Sequence, residues 1–256
     1  MILALDVGNT NIVAGCIDEH SLHFGCRIAT DREKTDMEYA VLFKNILDVH
    51  KIDPRALDGE IISSVVPPLN HVLAHALETL TGSAPMEVNV HMNHGLQIDL
   101  DTPDLIGSDL IVGAVAALDR FRPPLIIFDL GTTTTISVID KQGVYRGGAF
   151  LPGIQISLDA LSARTSQLPS ISFDAPGNII AKNTVDYMKS GIVYGNAAMM
   201  DGMIDRIEAE LGEKTTIVAT GGLASFVTTH CVHEIHLDDD LLLKGLLLLY
   251  NKNKEA

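Results

Sequence analysis

Three short hydrophobic runs separated by polar turns open the chain. Residues 2–5 form the first run, which ends at a turn containing Gly8 and Asn9, and residues 12–17 form the second. Because a Gly-Asn turn between hydrophobic runs is typical of a β-hairpin, we predict two antiparallel strands here. A third run at residues 22–28 extends the hairpin to a three-stranded meander.

Helical spacing first occurs after this meander. Hydrophobic positions between residues 36 and 50 recur at roughly helical spacing, and Thr35 or Asp36 can cap the helix that they predict. A strand at residues 60–63 and a helix opened by two prolines at residues 67–80 follow. A meander followed by alternating strand and helix predicts a mixed α/β fold.

The second half of the chain repeats this beginning. Hydrophobic runs at residues 125–128 and 136–139 flank a polar turn, and a third strand is expected to end at Phe150. The motif Asp-x-Gly-x-Thr occurs in both turns, starting at Asp6 and at Asp129. We therefore predict two similar domains, residues 1–118 and residues 119–256. Further helices from residue 154 and at 184–211, and a strand at 215–219, complete the second domain.

Charge and composition exclude several classes of protein. The 256 residues include 18 Lys and Arg against 33 Asp and Glu, a net charge of −15, so binding to nucleic acid or to an anionic membrane through bulk charge is excluded. The three cysteines form no CxxC pair and predict neither a disulfide framework nor a zinc site. No hydrophobic stretch approaches the about 20 residues of a membrane span, and no signal peptide is recognisable. We expect a cytoplasmic protein.

The two repeated turns carry the clearest chemical signal. Glycine lets backbone N–H groups approach an anion closely, and the Thr and Asn side chains beside it add donors, so each turn can hold phosphate. Aspartate and glycine are also common in ordinary tight turns, but two copies in matching contexts favour phosphate binding. A carboxylate beside a polyphosphate repels it unless a cation lies between them. Asp6 and Asp129 therefore indicate Mg²⁺ carried by a nucleotide, or a monovalent cation.

Two further segments each allow two interpretations. Gly221 and Gly222 follow the last predicted strand, where they either let an adenine or ribose lie close or simply permit close packing. Asp109 begins a helical run that extends to Leu118. It is either a helix cap or a base that accepts the proton of a substrate hydroxyl during transfer of a γ-phosphoryl group. An acidic run at residues 238–240 is interpreted as a solvated helix start.

Several motifs, in order along nearly the whole chain, resemble those of one enzyme family. The chain is similar to type III pantothenate kinases, within the superfamily of acetate kinase, sugar kinases, Hsp70 and actin. The motifs that carry the resemblance are Asp6-Val-Gly-Asn-Thr-Asn11, Ser63-Ser-Val-Val-Pro-Pro68, Asp129-Leu-Gly-Thr-Thr-Thr134, Gly147-Gly-Ala-Phe-Leu-Pro-Gly153, Asn183-Thr184 with Gly191-Ile-Val-Tyr-Gly195, and Ala219-Thr-Gly-Gly222.

The resemblance implies a fold and an activity. The implied fold has two ribonuclease H-like α/β domains, each a mixed sheet flanked by helices, with the nucleotide in an interdomain cleft. The implied activity is ATP-dependent phosphorylation of pantothenate, the first step of coenzyme A synthesis. The resemblance further implies a homodimer that requires Mg²⁺ and a monovalent cation, K⁺ or NH₄⁺.

Carried over position by position, the resemblance also assigns residues. ATP phosphates would be held by Asp6, Val7, Gly8, Asn9, Thr10, Asn11, Ile12 and Val13, with Thr132 contacting them from the second turn and Gly221 and Gly222 beside the adenosine. Asp129 would bind the monovalent cation, and Asp6 would lie near Mg-ATP. Asp109 would be the base. The acceptor side would comprise Leu100, Gly107, Ser108, Asp109 and Leu110, with Thr184 contributed by the partner subunit.

The chain departs from the family pattern on the acceptor side. Leu110 replaces the arginine of Gly-x-Asp-Arg, Leu100 replaces a tyrosine, and Gly113 replaces an asparagine. Loss of a charge-assisted contact would weaken acceptor binding by roughly 10- to 150-fold. Three hypotheses follow: a pantothenate kinase with weakened or rearranged carboxylate recognition, a kinase for another small alcohol, or a non-catalytic nucleotide-binding homologue.

The helix at residues 184–211 is the candidate for dimerisation. Its hydrophobic side chains supply ample surface for a partner, although they equally suit the filling of a core. They are Met188, Ile192, Met199, Met200 and Met203.

Overall fold

A computed structural model describes residues 1–165, 168–169 and 171–254. The chain divides into two compact units. Unit 1 comprises residues 1–96, residues 101–119 and the C-terminal segment that starts at Asp240, and unit 2 comprises residues 97–100 and 120–239.

Unit 1 contains a five-stranded mixed sheet of order β3-β2-β1-β4-β5. Its strands are β1 (Ile2–Val7), β2 (Asn11–Ile17), β3 (Leu22–Ala29), β4 (Glu60–Ser64) and β5 (Met86–Glu87). Its helices are α1 (Asp36–Val49), α2 (Pro67–Thr81), α3 (Ser108–Arg120) and the C-terminal α7 (Leu241–Asn253), with short 3₁₀ turns at Pro54–Ala56 and Pro103–Leu105. Strands β1, β2 and β3 form the predicted antiparallel meander, and β4 pairs with β1 in parallel.

Successive side chains of β1 point alternately into two hydrophobic cores, one on each face of the first sheet. Leu3 and Leu5 pack with α1 and α2, in a cluster that includes Phe43. Ile2 and Ala4 face the opposite side and pack with α3 and α7. Because successive side chains of a strand point to opposite faces, a central strand buried on both sides has the continuous hydrophobic run seen here.

Unit 2 contains a six-stranded mixed sheet of order β11-β10-β7-β8-β9-β6. Its strands are β6 (Gln97–Ile98), β7 (Leu125–Leu130), β8 (Thr133–Ile139), β9 (Val144–Pro152), β10 (Thr216–Thr220) and β11 (His236–Leu237), and its helices are α4 (Ile154–Arg164), α5 (Thr184–Leu211) and α6 (Ala224–Thr228). Strands β7, β8 and β9 form an antiparallel meander, and β10 pairs with β7 in parallel.

The same arrangement therefore occurs in both units. In each, a three-stranded meander is joined by a later strand that runs parallel to its first strand. Two mixed sheets flanked by helices confirm the predicted fold class.

The C-terminal helix does not belong to the domain in which the sequence analysis placed it. Residues 119–256 were expected to form one domain, whereas α7 belongs to unit 1. Leu243, Leu246 and Leu249 of α7 are buried in the cluster that contains α3 and one face of the first sheet. The local sequence of α7 predicts an amphipathic helix but not which sheet covers it.

The positions of side chains correct one expectation and favour the core-filling interpretation of α5. Asp238 is buried and pairs with Arg120, so the acidic run at 238–240 is not simply a solvated helix start. In α5, the proposed dimer-forming side chains pack within unit 2 instead. Met188, Ile192 and Met200 are buried in the core of that unit, and the other two methionines pack against it.

The helices of the described chain include none with both the length and the hydrophobicity required to cross a bilayer.

Replacing Gly245 with alanine should reduce the free energy of unfolding by about 1–3 kcal/mol. Gly245 lies where α7 contacts α3, and an added Cβ would overlap the backbone carbonyl oxygen of Val112. The two helices would have to move apart, and urea unfolding measures the loss.

Gly113→Ala is the matched control at the same pair of helices. Its added Cβ would lie 3.5 Å from Leu242 Cδ2, an ordinary contact, and alanine favours a helix over glycine by about 1 kcal/mol. We expect a neutral or stabilising effect. Equal effects of the two substitutions would contradict this packing of α7 on α3.

Candidate functional site

The first Asp-x-Gly-x-Thr motif forms the tight turn between β1 and β2. Gly8 N–H donates a hydrogen bond to the Asn11 carbonyl oxygen at 3.0 Å, which closes the turn. Val7 and Ile12 point into the core of unit 1, so only their backbone groups can contact a ligand. The turn is therefore a backbone surface, with the exposed Asn9 and Thr10 at its tip.

Residues after β3 hold this turn from the side. Thr30 Oγ1 donates to the Gly8 carbonyl oxygen at 2.7 Å, and Thr30 N–H donates to the Thr10 carbonyl oxygen at 2.9 Å. Arg32 Nη2 donates to Asn9 Oδ1 at 2.7 Å, which brings a guanidinium beside the turn. The sequence analysis missed both residues because an isolated Thr and Arg in a polar loop carry no pattern.

Asp6 lies on the same face of the first sheet as α3. It follows Ile2 and Ala4 in alternation, and these pack with α3. Its neighbour in the parallel strand β4 is Ser63, which faces the same side. The carboxyl ends of β1 and β4 thus carry a carboxylate and a hydroxyl on the face of the sheet that packs with α3.

Asp109 is in the first turn of α3, on this same side of unit 1. Its Oδ1 accepts a hydrogen bond from Leu110 N–H at 2.9 Å. Burial raises the pKa of its carboxyl, and the backbone N–H groups of Leu110 and of Asp109 itself oppose that rise. An added Cβ on Gly107 would overlap Asp109 Oδ1, so glycine leaves the space that the carboxylate occupies. A partly buried carboxylate with a raised pKa suits a general base.

The second Asp-x-Gly-x-Thr motif forms the turn between β7 and β8 in unit 2. Thr220 of β10 is in register with Asp129, so Gly221 leaves its strand beside the Asp129 carboxylate. Gly221 has φ +99°, and an added Cβ would lie 2.7 Å from Asp129 Oδ1. At Gly153, just before α4, an added Cβ would overlap the carbonyl oxygen of Thr132. Two glycines therefore allow neighbouring backbone to approach this turn closely.

This geometry supports the packing interpretation of Gly221, although it leaves room for a ligand beside the exposed Gly222. Gly153 was recognised in the sequence only as part of a family motif, without a role. Its importance depends on an approach between segments that no local pattern encodes.

The remaining positions expected on the acceptor side are in unit 2. Leu100 follows β6 and contacts β9 near Gly147, whose φ is +104° and whose added Cβ would lie 3.2 Å from Leu100 Cδ2. Thr184 is exposed at the first position of α5, directly after the N-cap residue Asn183. The structure therefore groups Gly107 to Leu110 with Asp6 in unit 1, and places Leu100 and Thr184 in the other unit.

Oxygen donors dominate the candidate metal positions. Among the described residues, no group of three or more His, Cys, Asp or Glu side chains could hold a metal ion. Single carboxylates beside backbone-lined turns, as at Asp6 and Asp129, fit Mg²⁺ that is bound largely by nucleotide phosphates and water.

Comparison with known proteins identifies the family. The profile of the type III pantothenate kinases matches residues 2–206. A type III pantothenate kinase of an Exiguobacterium species is 42% identical over 255 residues, and the alignment covers 100% of both chains. Another, from Moorella thermoacetica, is 39% identical over 99% of this chain and 100% of its own length. This chain belongs to the type III pantothenate kinase family.

Solved structures show the same architecture at much lower identity. Component A of the (R)-2-hydroxyglutaryl-CoA dehydratase of Acidaminococcus fermentans has a TM-score of 0.57 and 14% identity, over 97% of this chain and 96% of that one. Such a likeness shows the fold alone. It agrees with the actin, Hsp70 and sugar-kinase architecture expected of a type III pantothenate kinase.

Replacing Gly221 with alanine should lower the thermal unfolding midpoint, because a non-glycine residue at φ +99° is strained by about 1–3 kcal/mol and its Cβ meets Leu130 backbone as well as Asp129. Differential scanning calorimetry measures the shift.

Gly131→Ala is the comparison within the same turn. Its added Cβ would have only ordinary contacts, 3.6 Å from the Thr133 carbonyl oxygen and 3.7 Å from Asp129 Oδ1. The midpoint should change little. A larger loss at Gly131 than at Gly221 would contradict the described packing of β10 against the turn.

Proposed function

We propose that this chain catalyses the ATP-dependent phosphorylation of pantothenate to 4′-phosphopantothenate, the first step of coenzyme A synthesis. Identity of 42% over the full length of a type III pantothenate kinase carries the proposal. The duplicated Asp-x-Gly-x-Thr turns support it, because each presents backbone donors where a phosphate chain can bind.

The nucleotide side relies on backbone groups rather than on long side chains. In the first turn, the segment from Gly8 to Val13 would hold the phosphates through the backbone N–H groups at its tip and the side chains of Asn9, Thr10 and Asn11. Arg32 adds positive charge nearby. In the second turn, Thr132 would contact the phosphates. Gly221 and Gly222 would adjoin the adenosine.

Two cations complete this proposal. Mg²⁺ would be bound by the nucleotide phosphates near Asp6, and it would neutralise charge on the transferred phosphoryl group. A monovalent cation, K⁺ or NH₄⁺, would be bound by the Asp129 carboxylate among backbone oxygen atoms of its turn. Both positions offer the hard oxygen ligands that these ions prefer.

Asp109 would act as the base. Its carboxylate would accept the proton of the primary hydroxyl of pantothenate while that oxygen forms a bond to the γ-phosphorus and the bond to ADP breaks. The N-terminus of α3 adds a favourable dipole for anionic groups nearby. Because the base must be deprotonated, activity should fall as the pH decreases through the raised pKa of Asp109.

The acceptor side supports a variant of this function. Leu110 cannot form the charge-assisted contact with the pantothenate carboxylate that the family arginine would supply, and Leu100 lacks the tyrosine hydroxyl. We therefore propose weakened or rearranged carboxylate recognition. A different small alcohol is the second candidate acceptor, and a panel of hydroxyl compounds assayed with Mg-ATP and K⁺ distinguishes the two.

We further propose a cytoplasmic homodimer. Hydrophobic side chains remain exposed on α4, on the start of α5 and on the segment before α5, which Ser190 Oγ holds through the Ile179 carbonyl oxygen at 2.6 Å. They are Ile156, Leu161, Ile179, Ile180, Val185 and Tyr187. Exposed hydrophobic side chains of this number favour a partner subunit, which would also bring its Thr184 to the acceptor. The three free cysteines suit a reducing compartment.

Replacing Asp109 with asparagine should reduce kcat by about 100- to 10,000-fold, because the amide cannot accept the proton. A coupled assay of ADP release with Mg-ATP, K⁺ and pantothenate measures turnover, and calorimetry measures ATP binding.

ATP affinity should change little in this variant, since the phosphates are assigned to the two turns. Asp104→Asn, an exposed carboxylate in the 3₁₀ turn before α3, is the control and should retain wild-type turnover. Wild-type kcat in Asp109→Asn would refute the assignment of the base.

Leu110→Arg should lower the KM for pantothenate by roughly 10- to 150-fold, because it supplies a charge-assisted partner for the carboxylate. Leu110→Met is the control of similar size without charge and should leave this KM near the wild-type value. Steady-state kinetics at saturating ATP provide both numbers. An unchanged or higher KM in Leu110→Arg would show that the carboxylate is bound elsewhere.

A further inference from the structure

Ser108 was assigned to the substrate by its place in the motif, but its hydroxyl is occupied within the protein. Ser108 Oγ donates to the Ser64 carbonyl oxygen at 3.1 Å and accepts from Ser64 N–H at 3.0 Å. It also accepts from Ser63 Oγ at 3.1 Å. Both Ser63 and Ser108 are buried, so their hydroxyl groups form hydrogen bonds within the protein and not with solvent.

These three hydrogen bonds join the first residue of α3 to the carboxyl end of β4. Ser63 and Ser64 are in register with Asp6 and Val7 of β1, the strand that leads into the first phosphate turn. The residue after Ser108 is Asp109. One hydroxyl therefore connects the proposed base to the sheet edge that carries Asp6, entirely within unit 1.

We propose that Ser108 is a positioning residue, which fixes the Asp109 carboxylate relative to the first phosphate turn through its bonds to Ser63 and Ser64. This inference rests on the proposed role of Asp109 as the base. The family motif, Gly-x-Asp-Arg, leaves the identity of this position open, and here a serine supplies a tie that an apolar residue could not form.

The chemistry explains why such a tie matters. Proton transfer requires the base within hydrogen-bonding distance of the acceptor hydroxyl, and a displacement of about 1 Å can reduce the rate by about 100-fold. Asp109 lies in the first turn of a helix, where backbone hydrogen bonding is incomplete and the chain is least restrained. The Ser108 bonds restrain that turn without occupying the carboxylate itself.

Ser108→Ala removes all three bonds, and Ser63→Ala removes one. We expect kcat to fall by about 10- to 100-fold in Ser108→Ala and by a smaller factor in Ser63→Ala, with the KM for ATP within about 2-fold of wild type in both. A looser helix start would admit water to Asp109, so the acid limb of the kcat/KM profile should move to lower pH.

Ser137→Ala is the control for the loss of a buried hydroxyl. Ser137 is buried in unit 2, and its Oγ hydrogen-bonds to Tyr145 Oη at 3.1 Å. The thermal midpoint of Ser137→Ala should fall, but its kcat and the acid limb of its kcat/KM profile should stay at wild-type values. Circular dichroism and thermal unfolding of every variant separate folding from activity.

Wild-type kcat and an unmoved acid limb in Ser108→Ala would overturn the proposal. If Ser108→Ala does not fold, Ser63→Ala provides the test, because it removes only one side-chain oxygen atom. An unmoved acid limb in Ser63→Ala would also contradict the positioning role of Ser108. The base assignment fails separately: only retained turnover in Asp109→Asn refutes it. If Asp109→Asn loses activity while Ser108→Ala keeps wild-type activity, the assignment of the base stands and the positioning role of Ser108 is refuted.

Discussion

Parallel pairing between the first strand of each meander and a strand from later in the chain is the constraint on which both candidate sites depend. The β1–β4 pair brings Asp6 beside Ser63, and the β7–β10 pair brings Asp129 beside Thr220. Because parallel strands end at the same edge of a sheet, motifs that are far apart in sequence meet there. The turns that follow β1 and β7 then present their backbone at that edge.

Both turns need neighbouring segments to support their backbone, but different residues provide this support in each unit. At the first turn, the Thr30 hydroxyl holds the backbone at Gly8, and Arg32 holds the side chain of Asn9. At the second, Gly153 and Gly221 remove side chains so that other segments can pack directly against it. The duplication therefore applies to the strands and to the Asp-x-Gly-x-Thr signature, whereas the support of each turn is specific to its unit.

Local patterns predicted most of the fold because the strands and helices have strong periodicity and clear boundaries. Thr35 caps α1 with Glu38 in a reciprocal capping box, as its sequence allows. The packing of α7 in unit 1 and the burial of Asp238 against Arg120 could not be predicted, since each depends on a distant partner. For the same reason, the family resemblance placed Ser108 on the substrate side, although its hydroxyl is bonded to β4.

The two halves of the proposed reaction depend on different kinds of contact, and this difference bears on the acceptor. Phosphate binding by a turn uses backbone N–H groups, whose positions are fixed by hydrogen bonds such as that from Gly8 to Asn11. A charge-assisted contact with a carboxylate uses a charged side chain, which one substitution removes without altering the backbone. The chain contains both turns and the proposed base, and has leucine at positions 100 and 110. The proposed phosphate contacts therefore do not depend on the two leucines, and a change of acceptor would leave those contacts in place.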